Sequence, residues 1–146
     1  MTVTHSETET HQFAAIFAES LAAGACVLLD GELGAGKTCF VRGLCQGLGG
    51  DPTQVNSPTF TIMQEYETSN AIQLVHIDAY RLAGVDELET IGWDELCEAE
   101  NNIIAIEWPS RIAEAIPAGA IRISIEHLAE NERTIEVHQP FSGETA

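Results

Sequence analysis

The chain has 146 residues, and 45% of them are hydrophobic, which predicts one domain over residues 1–146 with enough apolar side chains for a buried core. The formal net charge is −17 at pH 7, and the chain has five arginines and one lysine. Because nucleic-acid binding depends on basic residues that neutralise phosphates, we expect no direct binding of nucleic acid by this chain alone. The acidity favours solubility, a docking surface for a protein partner, or both.

The N-terminus and the cysteines indicate the cellular environment. Residues 1–11 contain no lysine or arginine and no apolar run, and no apolar stretch approaches the length of a membrane span, so we expect a cytoplasmic protein with no membrane contact. The four cysteines, at positions 26, 39, 45 and 97, form no Cys-x-x-Cys pair. We predict reduced core residues, not disulfides or zinc ligands.

A helix is the first predicted element. Ser6 and Glu9 have the Ser-x-x-Glu spacing of a capping box, and Gly24 is placed to close the helix. Four apolar residues recur on one helical face: Phe13, Ile16, Phe17 and Leu21. We expect this helix to pack beside the strand that follows it.

A phosphate-binding motif lies between a predicted strand and a predicted helix. Residues 25–30 form an apolar run that predicts a buried strand, and apolar residues recur at helical spacing over 40–48. Between them the chain reads Gly31-Glu32-Leu33-Gly34-Ala35-Gly36-Lys37-Thr38, which fits Gly-x-x-x-x-Gly-Lys-Thr. In this context the loop N–H groups can cradle phosphates, while the Lys37 ammonium reaches the β- and γ-phosphates and the Thr38 hydroxyl ligates Mg²⁺. Lys37 is the only lysine of the chain, which argues against a chance match on a glycine-rich turn.

Beyond the loop, strands and short helices alternate. A polar loop over residues 51–56 leads into Ser57-Pro58-Thr59-Phe60. Apolar patterning then predicts, in chain order, a hairpin of strands 60–66 and 72–78, one or two short helices over 85–100 broken near Gly92, a buried strand over 103–106, a short helix over 110–116, and a final hairpin whose strands contain residues 121–125 and 135–137. These elements predict an α/β P-loop NTPase-like domain with a mainly parallel central sheet, helices on both faces and antiparallel edge strands.

Two acidic residues, Asp78 and Glu107, stand where predicted buried strands end. Because Mg²⁺ in phosphoryl-transfer sites is often held by an acid at a strand end, either residue could ligate the metal, directly or through water. Each could instead cap its strand or pair with an arginine such as Arg81. His76 shares a strand face with Asp78, where it either orients Asp78 or a water molecule or has a structural role.

The remaining candidates concern how a nucleotide is sensed and which nucleotide it is. Thr59 follows a proline in a loop, where its hydroxyl can sense the γ-phosphate or simply form part of the loop. Trp108 is more typical of packing than of chemistry, and we expect Trp93 in the core or at a partner contact. Many GTP-binding P-loop proteins read guanine with a lysine in an Asn-Lys-x-Asp pattern. Because the only lysine here lies in the loop, we expect ATP.

These motifs together resemble the TsaE (YjeE) family, the small bacterial ATPases of tRNA threonylcarbamoyladenosine (t6A) biosynthesis. The resemblance runs through four motifs in order: Gly31 to Thr38, Ser57-Pro58-Thr59-Phe60, His76-x-Asp78-x-Tyr80-Arg81-Leu82, and Glu107-Trp108-Pro109. The first motif alone is common to many unrelated ATPases, whereas all four at this spacing are highly specific.

The resemblance implies roles for particular residues. ATP and Mg²⁺ bind at the loop, with Thr38 and Glu107 close to the metal and Asp78 assisting in hydrolysis. The Ser-Pro-Thr-Phe segment resembles a switch, and Trp108 matches a position linked to ATPase activity. Arg133 resembles a residue on the nucleotide side near the C-terminus.

The resemblance also implies protein partners, TsaD and TsaB, which attach threonylcarbamoyl to the adenosine next to the anticodon of tRNA. ATP hydrolysis by TsaE-like proteins resets that complex between turnovers. We expect weak hydrolysis alone and stimulation by the partners, because an arginine from a partner is worth roughly 10³–10⁵ in rate in related enzymes, and Arg81 is the nearest internal candidate.

Two other functions remain open from the sequence. A small-molecule P-loop kinase needs several arginines over the transferring phosphoryl group, but the segment after Glu107 holds few, of which Arg111 and Arg122 are the nearest. A nucleotide-dependent interaction module with negligible catalysis would bind ATP only to set its shape.

Overall fold

The computed structural model describes residues 1–32, 36–55, 63–82 and 84–138. Within these ranges the chain forms a seven-stranded sheet whose strands are, in chain order, β1 (Thr2–Thr4), β2 (Cys26–Asp30), β3 (Met63–Glu67), β4 (Gln73–Asp78), β5 (Asn102–Glu107), β6 (Ile121–Ala129) and β7 (Glu132–His138). In space the strands follow the order β1-β7-β6-β2-β5-β4-β3.

The sheet is parallel only at its centre. Strands β6, β2, β5 and β4 are parallel neighbours, whereas β3 pairs with β4, and β7 with both β6 and β1, in antiparallel register. The prediction of antiparallel edge strands is confirmed. The prediction of a mainly parallel sheet is wrong for the sheet as a whole, because three of its six pairings are antiparallel. The sequence pattern does not reveal β1, because three residues are too few to show alternation.

Helical segments connect these strands. In the described part of the chain the α-helices are α1 (Glu7–Ala18), α2 (Lys37–Gly47) and α3 (Trp93–Glu98), and the 3₁₀ segments are Pro52–Gln54, Ser69–Ala71, Ala79–Arg81, Val85–Ile91 and Pro109–Ala115. The predicted break near Gly92 is confirmed, since Gly92 has a φ of 74° and separates a 3₁₀ segment from α3. The short helix predicted over 110–116 is a 3₁₀ segment, kinked at Ile112. None of the helices described here combines the length and apolarity that crossing a bilayer requires.

Alternate residues of the central strands face opposite sides of the sheet and build two cores. On one side Val27 and Leu29 pack with α1 and α2 around Phe40. On the other side Leu28 packs with the 3₁₀ segments and α3, and Trp93 is buried there. Helical segments therefore cover both faces, as the sequence predicts, and Trp93 belongs to the core.

Helix α1 buries a different face from the predicted one. It begins at the predicted cap, where Ser6 Oγ accepts a hydrogen bond from the Glu9 backbone N–H at 3.1 Å. It ends at Ala18, well before Gly24, and Ile16 is 68% exposed. The helix packs chiefly on α2, not on the strand, and its buried residues lie four apart: Thr10, Ala14 and Ala18.

Small residues let α1 and α2 approach closely. A Cβ atom on Gly43 would lie 2.4 Å from the His11 carbonyl oxygen, and one on Gly47 would lie 2.2 Å from the Ala15 carbonyl oxygen. Both distances are far below van der Waals contact, so these two glycines determine the separation of the helices. Because α2 begins at Lys37, this packing also fixes the position of the helix start that carries Lys37.

All four cysteines are free thiols. Cys26 and Cys45 are buried, Cys39 is half-buried and Cys97 is exposed, so the expected core location fails for Cys97. Burial raises the pKa of the Cys26 thiol to about 12, which keeps this thiol protonated and unreactive.

Substitution of Gly43 by alanine tests the helix contact. We expect Gly43→Ala to lower the free energy of unfolding by about 1–3 kcal/mol in urea denaturation, because overpacking outweighs the roughly 1 kcal/mol by which alanine is favoured over glycine inside a helix. Gly84→Ala is the control, since Gly84 has extended backbone and no atom within 4 Å of its Cβ position. It should change stability by less than about 0.5 kcal/mol. If Gly43→Ala is as stable as the parent, the two helices can move apart to accommodate the added methyl group without loss of stability.

Candidate functional site

The carboxyl ends of the central strands bring three carboxylates to one edge of the sheet. Asp30 ends β2, Asp78 ends β4, and Glu107 ends β5, the strand between them. Glu107 lies opposite Leu29 on one side and opposite Asp78 on the other. The two acids predicted at strand ends are therefore direct neighbours. The sequence reasoning missed Asp30, although the same rule, an acid at the end of a buried strand, would have found it.

Helix α2 begins at this edge with Lys37, which is 5% exposed. Its Nζ donates a hydrogen bond to the Gly31 carbonyl oxygen at 2.6 Å and lies 3.6 Å from the centroid of the Trp108 ring, a cation–π contact. Gly36 precedes it with a φ of 106°, and because glycine has no side chain, this residue gives the helix N-terminus no side-chain cap. An uncapped helix end and a buried cation thus face the strand ends together.

Two opposing effects act on the pKa of Lys37. Loss of water on burial lowers the pKa of Lys37 below its usual 10.5, and this is the largest influence. Glu107, Asp78 and Asp30 act in the opposite direction, because each carboxylate favours the charged ammonium. The ammonium is therefore held with less solvation than it would have in water, in a place where anionic oxygens are its natural ligands.

Glu107 is paired inside the protein. His76 is fully buried, and its Nε2 lies 2.5 Å from Oε2 of Glu107, which is itself 5% exposed. In the sequence His76 is a candidate for orienting Asp78 or a water molecule. The structure instead directs its imidazole to Glu107, a contact that no spacing along the chain reveals, because residues 76 and 107 belong to different strands.

Asp78 also has a local role. Its Oδ1 accepts a hydrogen bond from the Tyr80 backbone N–H at 3.1 Å, which begins the 3₁₀ segment Ala79–Arg81. The capping role that the sequence leaves open is therefore present. The position of Asp78 beside Glu107 keeps its carboxylate at the site as well.

Trp108 forms an aromatic wall of the site. It has a φ of 59°, a left-handed backbone that is strained for a residue with a large side chain. Its ring meets Lys37 and also contacts the ring of Tyr80, with centroids 5.2 Å apart, while Arg111 lies 4.9 Å from the centroid of the Tyr80 ring. The sequence favours packing for Trp108 and gives no sign that Tyr80 and Arg111 continue the stack to the surface.

The other predicted site residues divide into two groups. Thr38 is half-buried as the second residue of α2, Glu32 is exposed, and Arg133 lies with its Nε 3.8 Å from the Cβ position that Gly36 lacks. These three are near the start of α2. The remaining predictions lie outside the described residues: Leu33, Gly34, Ala35, the switch residue Thr59 with its neighbours 57, 58 and 60, and the side chain of Arg81.

A cleft of about 540 Å³ is lined in part by Gly31 and Trp108, two residues that contact the Lys37 ammonium. Its lining includes Asp30, Gly31, Glu32, Trp108, Ser124 and Glu126. At its edge Arg122 Nε lies 3.0 Å from Asp30 Oδ2, an ion pair that is partly exposed on both sides. The cleft is large enough for part of a small ligand, and three of its lining residues, Asp30, Glu32 and Glu126, are acidic.

The donor atoms at the edge suit a metal held jointly with a ligand. In the described ranges no group of three or more His, Cys, Asp or Glu side chains is placed to hold a metal ion by itself. Mg²⁺ usually retains waters and takes one or two carboxylates together with substrate phosphates. Glu107, Asp78 and the Thr38 hydroxyl are oxygen donors of that kind, so they fit a nucleotide-borne Mg²⁺ better than a resident metal.

The fold and the site define an α/β protein in which a buried lysine, at the start of a helix, faces carboxylates at the ends of parallel strands. The chain belongs to the TsaE family, because the family model described as threonylcarbamoyl adenosine biosynthesis protein TsaE matches residues 4–135.

Individual relatives agree with that family. The tRNA threonylcarbamoyladenosine biosynthesis protein TsaE of Treponema pallidum is 38% identical over 135 residues, which cover 92% of this chain and 97% of that protein. The protein of the same name from Bacillus subtilis is 39% identical over 127 residues, 87% of this chain and 77% of that protein. The crystal structure of Bacillus subtilis YdiB superposes with a TM-score of 0.69 at 30% identity, covering 92% of this chain and 80% of that one.

The substitution Lys37→Met removes the buried ammonium and keeps the length of the side chain. Because the pKa of Lys37 is lowered in the folded chain, the unfolded chain binds more protons between that lowered pKa and 10.5, so the parent gains stability as pH rises through this window. The variant lacks this gain. In urea denaturation we expect the free energy of unfolding of the parent minus that of Lys37→Met to increase from neutral pH to pH 10.5. A constant or falling difference would contradict a lowered pKa, since the other titrating groups are common to both chains.

Proposed function

We propose that this chain binds ATP with Mg²⁺ at the sheet edge formed by Lys37, Asp78 and Glu107, and hydrolyses it in support of t6A formation on tRNA. The observation that carries the proposal is the buried Lys37 ammonium beside an uncapped helix N-terminus. Phosphate oxygens bind both groups, because the helix end presents N–H donors and a positive dipole. Membership of the TsaE family supports the pathway, since its members are named for threonylcarbamoyladenosine biosynthesis.

The charge of the site favours a nucleotide that carries a divalent cation. Asp30, Asp78 and Glu107 act electrostatically on Lys37, and the whole chain has a net charge of −17, so a bare triphosphate would bind more weakly than one that carries Mg²⁺. When bound, Mg²⁺ supplies the charge neutralisation that lets phosphates approach carboxylates and polarises the transferring phosphoryl group. The Thr38 hydroxyl and the Glu107 carboxylate would hold it.

Lys37 changes partners when a nucleotide binds. Its ammonium leaves the Gly31 carbonyl oxygen for phosphate oxygens, which are stronger, charged acceptors. The Trp108 ring, 3.6 Å from Nζ, covers the ammonium from the side and limits where it can move. The loop over 31–38, including Gly34 and Ala35, supplies the remaining N–H donors to the phosphates.

The hydrolytic step needs an oriented water molecule and positive charge on the phosphoryl oxygens. Asp78 lies next to Glu107 in the register and would orient the water, and Arg133, near Gly36 at the start of α2, would contact the nucleotide. Thr59, in its switch segment, would respond to the γ-phosphate. Among the side chains that the structure describes, this proposal uses two cations, Lys37 and Arg133, and two are few for a transition state that spreads charge over three oxygens.

This shortage of cations assigns a role to the partners. The TsaD and TsaB proteins, which carry out the transfer to tRNA, would complete the site and be reset by hydrolysis. The acidic chain would then act on tRNA only through them, in the cytoplasm. The proposal predicts an ATPase that is slow alone.

Single substitutions separate binding from hydrolysis. Lys37→Ala should abolish Mg·ATP binding in calorimetry, because it removes the cation at the helix end. Glu107→Gln should still bind ATP through Lys37, with a smaller gain in affinity from Mg²⁺, and should lose hydrolysis by about 10²–10³-fold or more, since an electrostatic contact to the transition state is removed. Glu98→Gln, an exposed acid at the end of α3, is the control and should match the parent. Normal hydrolysis by Glu107→Gln would move the metal assignment to Asp78.

Addition of TsaD and TsaB tests the partner role. We expect the rate of phosphate release from ATP to rise by orders of magnitude in their presence, up to the roughly 10³–10⁵-fold that a supplied arginine is worth. Lys37→Ala in the same mixture is the control for contaminating ATPases. Equal rates with and without the partners would exclude partner-gated hydrolysis, and transfer of the γ-phosphate to a metabolite faster than to water would indicate a kinase.

A further inference from the structure

We propose that His76 is the positioning residue of Glu107: it holds the carboxylate in the orientation in which that group takes part in Mg²⁺ binding. This inference rests on the proposed function, because it deepens the role given there to Glu107. Three observations support it: the contact between the two side chains, their burial, and the His76 Nδ1 atom, which has no hydrogen-bond partner among the described residues.

The strand register places the imidazole directly behind the carboxylate. His76 on β4 lies opposite Ala105 on β5, and the next pair on the same face is Asp78 opposite Glu107. Across the sheet on the other side, His76 lies opposite Gln64 of β3. The small side chain of Ala105 leaves room for the imidazole to reach diagonally along the sheet face to Glu107.

The hydrogen bond decides which carboxylate oxygen is left for a ligand. His76 Nε2 lies 2.5 Å from Oε2 of Glu107. An ionised carboxylate can only accept, so Nε2 carries the hydrogen in this pair. With Oε2 occupied, the group cannot rotate freely, and the other oxygen is the one available at the strand ends. A partner of this kind behind a metal-binding group orients it and typically matters 10–100-fold in metal affinity or activity.

His76 is an unfavourable residue for packing alone. It is fully buried, and its Nδ1 is a buried polar atom with no hydrogen-bond partner in the described part of the chain. A buried polar atom without a partner costs stability, whereas an apolar side chain of similar size in place of a buried polar pair is often neutral or stabilising. The cost of burying Nδ1 without a partner is explained if the protein needs the hydrogen bond between Nε2 and Glu107.

Three substitutions of His76 distinguish two roles: orienting the Glu107 carboxylate for Mg²⁺, or only stabilising the buried Glu107 side chain. In His76→Gln the amide Nε2 can still donate to Glu107, so this is the conservative variant. His76→Asn keeps a polar group that is one carbon too short to reach it, and His76→Leu removes the donor. For each folded chain, calorimetry gives the affinity for ATP with Mg²⁺ and with EDTA, and their ratio measures the gain that the metal provides. The unfolding midpoint without nucleotide and the rate of hydrolysis with the partners are recorded alongside.

We expect the asparagine and leucine variants to lose about 10–100-fold of the gain from Mg²⁺ and of the turnover rate, with affinity in EDTA unchanged because Lys37 is untouched. The glutamine variant should recover both. In a Glu107→Gln background His76→Asn should have no further effect on the gain, because His76 acts through Glu107.

The opposite results overturn the inference. If the asparagine and leucine variants unfold earlier but keep the parent's gain from Mg²⁺, His76 only satisfies a buried acid. If the leucine variant does not fold, the comparison of glutamine with asparagine decides the same question. If the affinity of the parent chain for ATP does not increase with Mg²⁺, the proposed function and this inference are refuted together. If the affinity of the parent and of every His76 variant increases equally with Mg²⁺, only this inference is refuted.

Discussion

The burial of one ammonium group shapes the whole site. Lys37 is held by a backbone carbonyl oxygen and an indole ring, and three carboxylates favour its charge while loss of water disfavours it. The cation is thus retained at a cost that an anionic ligand would relieve. This local balance would explain how a chain with a net charge of −17 could offer the proposed phosphate site: the field of the whole protein opposes an anionic ligand, whereas the immediate neighbourhood of Lys37 and the helix end favours one.

That neighbourhood is held by rigid elements. Lys37 is the first residue of α2, and α2 is locked against α1 where Gly43 and Gly47 admit no side chain. The opposing carboxylates sit on β2, β4 and β5, whose parallel ladders fix Asp78 and Glu107 side by side. A site built on a packed helix and three paired strands keeps its geometry without help from the ligand.

Trp108 links this buried centre to the surface. Its strained left-handed backbone turns the ring toward Lys37, directly after the strand that delivers Glu107. The stack continues through Tyr80, which is 54% exposed, to Arg111. Strain of this kind persists only where surrounding contacts support it, and here the support is a run of ring and cation contacts from the sheet edge outward.

The sequence by itself determined the local elements: the β2 strand, the loop motif and α2, both hairpins and the break at Gly92, because periodicity, turn residues and glycine geometry act between neighbours in the chain. It also identified the acids at two strand ends and the family. Only the tertiary structure decided the mixed sheet with β1 at its edge, the face that α1 buries, the contact of Lys37 with Trp108 and that of His76 with Glu107. Each of these depends on residues far apart in sequence, whose meeting is set by strand order and helix packing and leaves no periodic trace in the chain.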